Sequence, residues 1–271
     1  MDAILDNLSA PALVAAADAN DAAYWLRRAQ LAGWEIHDEG DLAWYRSGRR
    51  ELLANGVVRM RLNPETADAK IAVTLAHFTD HNLPVAWFVG PAHRPANLGE
   101  PLEAQGLRLV STEPGMAVDL HSLREDLPVP DGLTLERVQD VETLAIWLRT
   151  YRAGDGVPPD APPILMESCV PRRFPDDEPM RLFLARLDGE LVATTQLLLA
   201  AGVAGIYGIA TVPEVRRRGI GAAVTRAALH DARALGYRVG VLHATEMGYS
   251  VYRRLGFAEC GVFGIYAWRP S

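Results

Sequence analysis

The sequence is poor in several features that mark large classes of protein. It holds 2 cysteines, Cys169 and Cys260, in 271 residues, and their spacing fits no zinc-binding pattern. Two thiols cannot staple a chain of this size, so the expected location is the reducing cytoplasm. No stretch approaches the roughly 20 apolar residues that span a bilayer. The apolar run at 10–17 is short, contains Pro11 and follows no basic segment, so no signal peptide is expected.

Positive charge is also scarce. Lys and Arg number 27 against 34 Asp and Glu, which gives a net charge of -7. General binding of nucleic acids depends on neutralising many phosphates, so it is not expected here. This balance still allows a small basic pocket for one anionic ligand. The length exceeds what most single cores need, which favours two domains or one elaborated domain.

The hydrophobic pattern alternates between strand-like and helical segments, which predicts an α/β (α+β) protein. The first forty residues are predicted to be helical, with Ser9 and Asn20 as N-caps and Gly33 as a stop. The Pro- and Asp-rich run at 124–131, REDLPVPD, cannot continue a helix or enter a central strand. It predicts a linker between a domain at 1–123 and a domain at 132–271.

The two halves of the chain repeat one order of elements. Each half has a strand, a Pro-Glu pair, a helix, a strand, a helix and a Gly-hydrophobic corner. The Pro-Glu pairs stand at 64–65 and 213–214, and the corners at 106–107 and 256–257. This common order predicts two copies of one α/β unit.

The segment at 209–221, IATVPEVRRRGIG, carries the most chemical information. A strand ends before Pro213, and two glycines open a helix behind three arginines. Helix N-termini leave backbone N–H groups unpaired and carry about half a positive charge. Gly219 and Gly221 lack Cβ atoms, so a diphosphate can approach the amides closely. The segment therefore predicts an anion site.

Two other glycine motifs do not fit this segment. A Walker loop needs Lys-Ser or Lys-Thr after its last glycine, and neither pair is present. A dinucleotide fingerprint needs its glycines directly after the strand, whereas Pro213 and a charged turn intervene here. Val224 also occupies the place of the third glycine in that fingerprint.

The segment resembles the pyrophosphate loop of the GNAT acetyltransferase superfamily, Arg/Gln-x-x-Gly-x-Gly/Ala, at Arg216, Gly219 and Gly221. The aromatic residue and Gly-Phe corner with which that family ends a helix follow as Tyr252 and 256–257. The resemblance covers residues 132–271. It implies two GNAT-like domains, each with a mixed, mostly antiparallel sheet flanked by helices. It also implies direct transfer of an acetyl group from acetyl-CoA, a co-substrate used without a metal, to a primary amine of a small molecule or peptide.

The resemblance implies a role for each residue of these motifs. Strand amides at 209–211 would pair with the pantetheine arm where two strands part, and a strand amide would stabilise the oxyanion. Tyr252 would protonate the departing thiolate, the alternative being a core tyrosine. His243 is the first candidate for the general base and Glu246 the second, with a water chain as the other possibility. The residues implied to hold the cofactor are Ile209, Ala210, Thr211, Arg216, Arg217, Arg218, Gly219, Ile220, Gly221, Ala222 and Thr245, the last of which stands where many members carry Asn.

The N-terminal half resembles the same unit without its chemistry. Counted from the shared prolines, Arg216 falls opposite Ala67, Gly219 opposite Lys70 and Gly221 opposite Ala72. Counted back from the Gly-hydrophobic corners, Tyr252 falls opposite Leu102. The absence of a Glu from the strand at 206–212 keeps a rival function open, a non-catalytic acyl-CoA-binding sensor or partner protein. The expected partner is an amine acceptor, with neither nucleic acid nor membrane, and the expected state is a monomer or homodimer.

Three smaller patterns have simpler interpretations. His77 and His81 have the spacing of metal ligands on a helix, but Phe78 stands where a zinc protease needs Glu, so a solvated helix end is expected. The aromatic pairs at 44–45 and 87–88 are expected to pack in a core or between domains. The Pro-rich stretch at 154–163 is expected to be a loop at a substrate mouth.

Overall fold

A computed structural model describes residues 3–158, 166 and 170–270. The predicted loop at 154–163 therefore lies partly outside the described residues. The described helices are α1 (Ala10–Leu31), α2 (Ala67–Thr79), α3 (Gly99–Ala104), α4 (Val141–Gly154), α5 (Ile220–Ala234) and α6 (Glu246–Leu255). The described strands are β1 (Glu35–Asp38), β2 (Leu42–Arg46), β3 (Asn55–Met60), β4 (Val85–Val89), β5 (Arg108–Asp119), β6 (Leu133–Arg137), β7 (Met180–Leu187), β8 (Glu190–Ala200), β9 (Val203–Thr211), β10 (Val239–His243) and β11 (Ala258–Trp268).

The chain divides into two compact units that are interleaved in the sequence. Of the described residues, unit 1 contains 3–20, 116–158 and 171–259, and unit 2 contains 21–115, 166, 170 and 260–270. The predicted domains at 1–123 and 132–271 follow chain order instead. Packing units and repeated units need not coincide when terminal strands pair outside their own half, so the predicted division stays a prediction about the repeat.

Unit 1 is built on a mixed, mostly antiparallel sheet. Its strand order is β6–β7–β8–β9–β10, with residues 116–119 of β5 beside β10. Strands β6 to β9 pair antiparallel, and β10 runs parallel to β9. Asp188 and Gly189 close the predicted β7–β8 hairpin with φ angles of 51° and 88°, which are the left-handed values that a type I′ turn requires.

Helices cover both faces of the unit 1 sheet. Because side chains alternate along a strand, Ala204 and Ile206 of β9 face α5 and α6, where they share a buried cluster with Leu229 and Leu255. The opposite face of β9 receives the end of α4 and Asn20 of α1. The α4 terminus comes so close that a Cβ on Gly154 would lie 2.8 Å from the Cβ of Ala210.

The predicted linker at 124–131 is held against α5 within unit 1. Arg226 of α5 is 8% exposed, and its guanidinium donates to the carbonyls of Glu125 and Leu127 at 3.1 and 3.0 Å. The N–H of Arg124 donates to Leu255 O at 3.1 Å. These bonds satisfy the backbone of a segment that its prolines keep out of helices and strands.

Unit 2 has a sheet of similar construction. Its order is β1–β2–β3–β4–β11. Strands β1, β2 and β3 pair antiparallel, β4 runs parallel to β3, and β11 pairs antiparallel with β4 over residues 264–268. The last strand of the chain is therefore part of unit 2.

The predicted aromatic pairs lie in the core of unit 2, with one member of each pair on either face of its sheet. Trp44 and Trp87 pack with α2 and α3 in one buried cluster. Tyr45 and Phe88, the next residues on the same strands, point to the other face. There Trp25 of α1 stacks on both, with ring centroids 6.1 and 4.5 Å apart. All four strand aromatics are buried, so they act as core residues.

Two predictions for the N-terminal segment are wrong. Asn20 does not cap a second helix, because α1 runs unbroken from Ala10 to Leu31. Its buried amide donates to Ala200 O at 2.9 Å instead, and its Oδ1 accepts the Tyr207 hydroxyl at 2.8 Å. Helix α1 ends at Leu31, just before the expected stop at Gly33, which has φ 70°, but residues 35–38 form β1 rather than helix.

The predicted fold class, with mixed and mostly antiparallel sheets flanked by helices, is confirmed. Among the described residues, no helix combines the length and the apolar character needed to cross a membrane.

One buried carboxyl makes the stability of unit 2 depend on pH. Burial, with the nearby charge of Glu113, raises the pKa of Asp21 from 3.8 to about 7. The folded state thus holds this proton more tightly than the unfolded state. This contribution is fully present below pH 3.8 and is lost as pH rises through 7.

We expect Asp21→Asn to relieve that loss. Its unfolding midpoint should exceed that of the natural protein by more at pH 8 than at pH 5, because about 1.4 kcal/mol accompanies each pH unit between the two pKa values. Thermal unfolding across that range measures the difference. Asp80→Asn, at an exposed position, controls for the loss of one negative charge, and parallel pH curves for Asp21→Asn would contradict the expectation.

Candidate functional site

The predicted anion site forms the connection between β9 and α5. Pro213 starts a short 3-10 turn that ends at Val215. The backbone then adopts the left-handed region twice, at Arg217 with φ 65° and at Gly219 with φ 86°. For a non-glycine residue this conformation is strained. The strain at Arg217 helps to turn successive N–H groups toward one side of the loop.

The loop and the first turn of α5 present unpaired backbone donors. The first intrahelical bond runs from the N–H of Ala223 to Gly219 O at 3.0 Å. Within the described part of the chain, the N–H groups of residues 217–222 donate to no protein acceptor. The first turn of α5 also carries no acidic side chain. This combination favours a bound anion.

Glycine stands at the two loop positions 219 and 221 for different physical reasons. Gly219 needs its positive φ, whereas Gly221 has ordinary helical geometry. A Cβ at Gly221 would meet only Thr211 Oγ1 among the described residues, at 3.9 Å. Neither conformation nor packing within the described residues therefore requires glycine at 221, and the missing Cβ leaves open space beside the loop amides.

The three arginines do not act alike. The half-buried guanidinium of Arg216 donates to Thr211 O at 3.0 Å and Gly154 O at 2.8 Å. It thus ties the end of β9 to the end of α4 and fixes the start of the loop. Arg217 and Arg218 are exposed and add positive charge beside the free amides. The predicted contact of all three with a cofactor stays a prediction.

Strands β9 and β10 part before the loop begins. Their parallel pairing covers Ala204 with Gly240 and Gly205 with Val241, although β9 continues to Thr211. On its other side β9 carries a bulge at residues 208–209 opposite Thr195. Beyond Gly205 the edge of β9 toward β10 has no strand partner within the described residues. Ile209, Ala210 and Thr211 lie on this open stretch, and their pairing with a cofactor arm stays a prediction.

Tyr252 lies on α6, the helix that follows β10. It is 8% exposed, and its ring packs edge-on against Phe257 at 6.0 Å between centroids. A Cβ at Gly248, one turn earlier, would lie 2.7 Å from the ring and 3.2 Å from the phenol oxygen. The hydroxyl is therefore directed toward the start of α6, the end that joins the parted strand β10.

The remaining predicted residues also lie at the junction of β10 and α6. His243 is the half-buried last residue of β10, and exposed Glu246 begins α6, where a negative charge complements the helix dipole. Thr245 has a structural task as N-cap, since its hydroxyl accepts the N–H of Gly248 at 3.2 Å. The structure thus brings His243, Glu246 and Tyr252 to one end of unit 1.

Sequence reasoning missed two glycines that shape this site. Gly154 permits the close contact of α4 with the end of β9. Gly208, with φ 55°, forms the bulge before the open stretch of β9. A glycine inside a strand pattern was the available signal for the bulge. Nothing in the sequence indicates the contact of Gly154, because it depends on tertiary packing.

The two histidines with metal-ligand spacing have protein contacts instead. His77 packs on the ring of Trp44 at 5.0 Å between centroids. The Nδ1 of His81 lies 3.1 Å from the guanidinium of Arg46.

We expect Arg216→Met to destabilise unit 1. Two carbonyls lose a charged donor, which costs about 2 kcal/mol and lowers the unfolding midpoint by roughly 4–8 °C. Thermal unfolding without ligand measures the change. Arg218→Met, which removes an exposed charge two residues away, should leave the midpoint within about 1 °C, and equal midpoints for both variants would contradict the assigned role of Arg216.

Comparison with known proteins agrees with this geometry. Residues 145–257 match the model of the Acetyltransferase (GNAT) family. A mycothiol acetyltransferase of Streptomyces griseus is 27% identical over 135 residues, which are 48% of this chain and 44% of that relative. The matched region thus spans less than half the length of that curated relative.

Solved structures share the fold over nearly the whole chain. A GCN5-related N-acetyltransferase from Kribbella flavida is 22% identical, with a TM-score of 0.70 over 93% of this chain and 96% of that chain. A tandem GNAT protein from the clavulanic acid biosynthesis pathway is 13% identical, with a TM-score of 0.57 over 94% of this chain and 97% of that chain. The segment at 145–257 is thus similar to the GNAT acetyltransferase family in sequence, and the chain shares its fold with solved GNAT structures.

Proposed function

We propose that this protein is an N-acetyltransferase that moves an acetyl group from acetyl-CoA directly to a primary amine of a small molecule or peptide. Unit 1 carries the activity. The observation that supports this most strongly is the continuity of the site. The open edge of β9 leads through Thr211 into a loop of free amides and then into α5, whose N-terminus points to the same loop.

The residues present fit the two polar parts of acetyl-CoA. The amides of residues 217–222 and the helix dipole suit a diphosphate, and the open space at Gly221 lets it approach. The open edge of β9 at 209–211, where Thr211 O is already bound by Arg216, leaves other backbone groups that suit an amide-containing arm laid along the strand, as a further strand would lie. Arg217 and Arg218 add charge at the solvent side, and Arg216 keeps the loop in place.

The chemistry needs few groups from the protein. When bound, acetyl-CoA supplies an activated thioester, which a neutral amine attacks directly. An amide of the open β9 edge stabilises negative charge on the reacting carbonyl oxygen. Tyr252 donates its phenolic proton to the departing thiolate. An ordinary phenol near pKa ~10 and a thiol near ~8.5 are close enough for that transfer.

There are three candidates for the base that deprotonates the amine. His243 combines a suitable residue type with a position at the end of β10, and Glu246 stands at the start of α6. A water chain needs neither residue. The amine acceptor, the monomeric or homodimeric state and the cytoplasmic location belong to this proposal as well. A thermal-shift screen of amines, amino acids and aminoglycosides with acetyl-CoA present would identify the acceptor class.

One observation favours a second function, a non-catalytic acyl-CoA-binding sensor or partner protein. Strand β9 (Val203–Thr211) carries no carboxylate that could serve as a base. Release of free thiol from acetyl-CoA with a panel of amines separates the two functions. Binding without release for every amine favours the sensor, whereas acceptor-dependent release favours the enzyme.

We expect substitutions at Gly221 to separate binding from folding. Gly221→Gln should weaken acetyl-CoA binding more than tenfold because its side chain fills the space beside the amides. Gly221→Ala is the matched control, which the family motif allows and which should lose only a few-fold. Both residues favour helix over glycine by up to about 1 kcal/mol, so neither should lower the unfolding midpoint. Calorimetric titration with acetyl-CoA measures the affinities, and unchanged affinity in Gly221→Gln would contradict the assigned loop.

We expect Tyr252→Phe to lower kcat by about 10²-fold or more, the usual contribution of a positioned acid. The KM for acetyl-CoA should change little, because the ring and its packing remain. Steady-state thiol release with the acceptor found by screening measures both. Tyr249→Phe removes the other phenolic hydroxyl of α6, which donates to Glu259, and serves as the control. Equal turnover in Tyr252→Phe and the natural protein would eliminate Tyr252 as the acid.

A further inference from the structure

Unit 2 contains a second pair of parting parallel strands. Strands β3 and β4 pair at Gly56 with Ala86 and at Val57 with Trp87, which is as short a pairing as that of β9 with β10. Strand β3 nevertheless continues to Met60. Beyond Val57 its edge toward β4 would therefore offer unpaired N–H and C=O groups, as the edge of β9 does.

In unit 2 the chain itself fills this gap. Residues 90–94, which we call the return segment, leave the end of β4 and come back against β3. The N–H of Arg94 donates to Met60 O at 2.9 Å, and Arg94 O accepts the N–H of Leu62 at 2.9 Å. Arg61 and Arg94 thus form a parallel bridge. The return segment pairs with β3 as a short additional strand would.

The return segment is anchored by its own buried residue. His93 is 6% exposed, and its Nδ1 accepts the N–H of Gly90 at 3.2 Å. Burial, together with the charges of Arg61, Arg59 and Arg94, lowers the pKa of His93 from 6.5 to about 4. The ring is therefore neutral at pH 7 and keeps Nδ1 as an acceptor.

The backbone groups of unit 2 that bind the return segment correspond in position to the unpaired backbone groups on the open edge of β9. Met60 and Leu62 stand four and two residues before Pro64, as Ile209 and Thr211 stand four and two residues before Pro213. The carbonyl and the N–H that bind Arg94 in unit 2 thus occupy the positions that unit 1 offers to an amide-containing arm.

The anion loop is also absent from unit 2. Helix α2 begins at Ala67, three residues after Pro64, whereas α5 begins seven residues after Pro213. The residues opposite the free-amide loop are therefore already helical. Asp68 also stands in the first turn of α2, where its charge opposes a diphosphate.

We propose that the return segment is a built-in occupant of the second cofactor cleft, so that each chain binds one acyl-CoA rather than two. The segment takes the backbone groups that the arm of a second acyl-CoA would need. Exchanging Ala67, Lys70 and Ala72 for the residues of the unit 1 loop would not restore binding while the segment is in place. The stoichiometry rests on the proposed function of unit 1, whereas the occupancy of the cleft does not.

Hydrogen exchange of the full chain tests the occupancy. The amides of Leu62 and Arg94 should exchange at least a hundredfold more slowly than in an unstructured peptide, and at similar rates, because one opening exposes both. His93→Ala, which removes the Nδ1 anchor, should speed both amides about tenfold. His93→Asn offers an oxygen near the same place and should change them less than threefold. Unprotected amides at Leu62 and Arg94 in the natural protein would overturn the proposal.

Calorimetric titration with acetyl-CoA tests the stoichiometry. The natural protein should bind one equivalent and Gly221→Gln none. Two equivalents, or one equivalent that survives in Gly221→Gln, would overturn the built-in occupant. If the natural protein binds no acetyl-CoA at all, the function proposed for unit 1 fails, and the exchange of Leu62 and Arg94 still decides whether the segment fills the cleft.

Discussion

The structure depends on how backbone N–H and C=O groups find partners where two parallel strands diverge. A strand that continues after its neighbour has turned away exposes N–H and C=O groups that must find partners or water. Unit 1 leaves these groups open along β9, beside a glycine-opened helix. Unit 2 meets the same demand with its own residues 90–94. The same strand geometry is thus left open in one unit and is closed by the chain itself in the other.

Holding the edge of β9 open costs free energy, and the residues around it keep the edge and the loop in this arrangement. Arg216 joins the end of β9 to the end of α4. Arg217 holds a backbone conformation that suits glycine better. Gly154 allows a helix to approach the strand at backbone distance. These residues hold the free amides in position before any ligand arrives, and such preorganisation reduces the entropy lost on binding.

Local signals in the sequence predicted most of the elements and the loop. The Asp188-Gly189 hairpin, the stop at Gly33 and the glycines at 219 and 221 each depend on backbone conformations that few residues adopt. The failures have a different origin. Asn20 is a good N-cap by type, yet it is buried against β-strand carbonyls. No local pattern could show that a distant strand would provide its partners.

The same limit applies to the site and to the units. Sequence spacing predicted which residues belong to the loop, but not that Arg216 binds carbonyls of its own chain. It predicted that the N-terminal half lacks the loop chemistry, but not that residues 90–94 fill the cleft. Both features arise from contacts between segments that are not neighbours in sequence. Nor did chain order reveal that β11 pairs with β4.

That last pairing has a consequence for the order of folding. Domains commonly fold from the N-terminus while the chain is still being synthesised. Here the edge of β4 pairs with residues 264–268, which are synthesised long after β4 itself. Although most of unit 2 is synthesised early, it acquires strand β11 only after residues 116–259 have been made. Until then the edge of β4 lacks its partner strand and remains exposed to pairing with other chains.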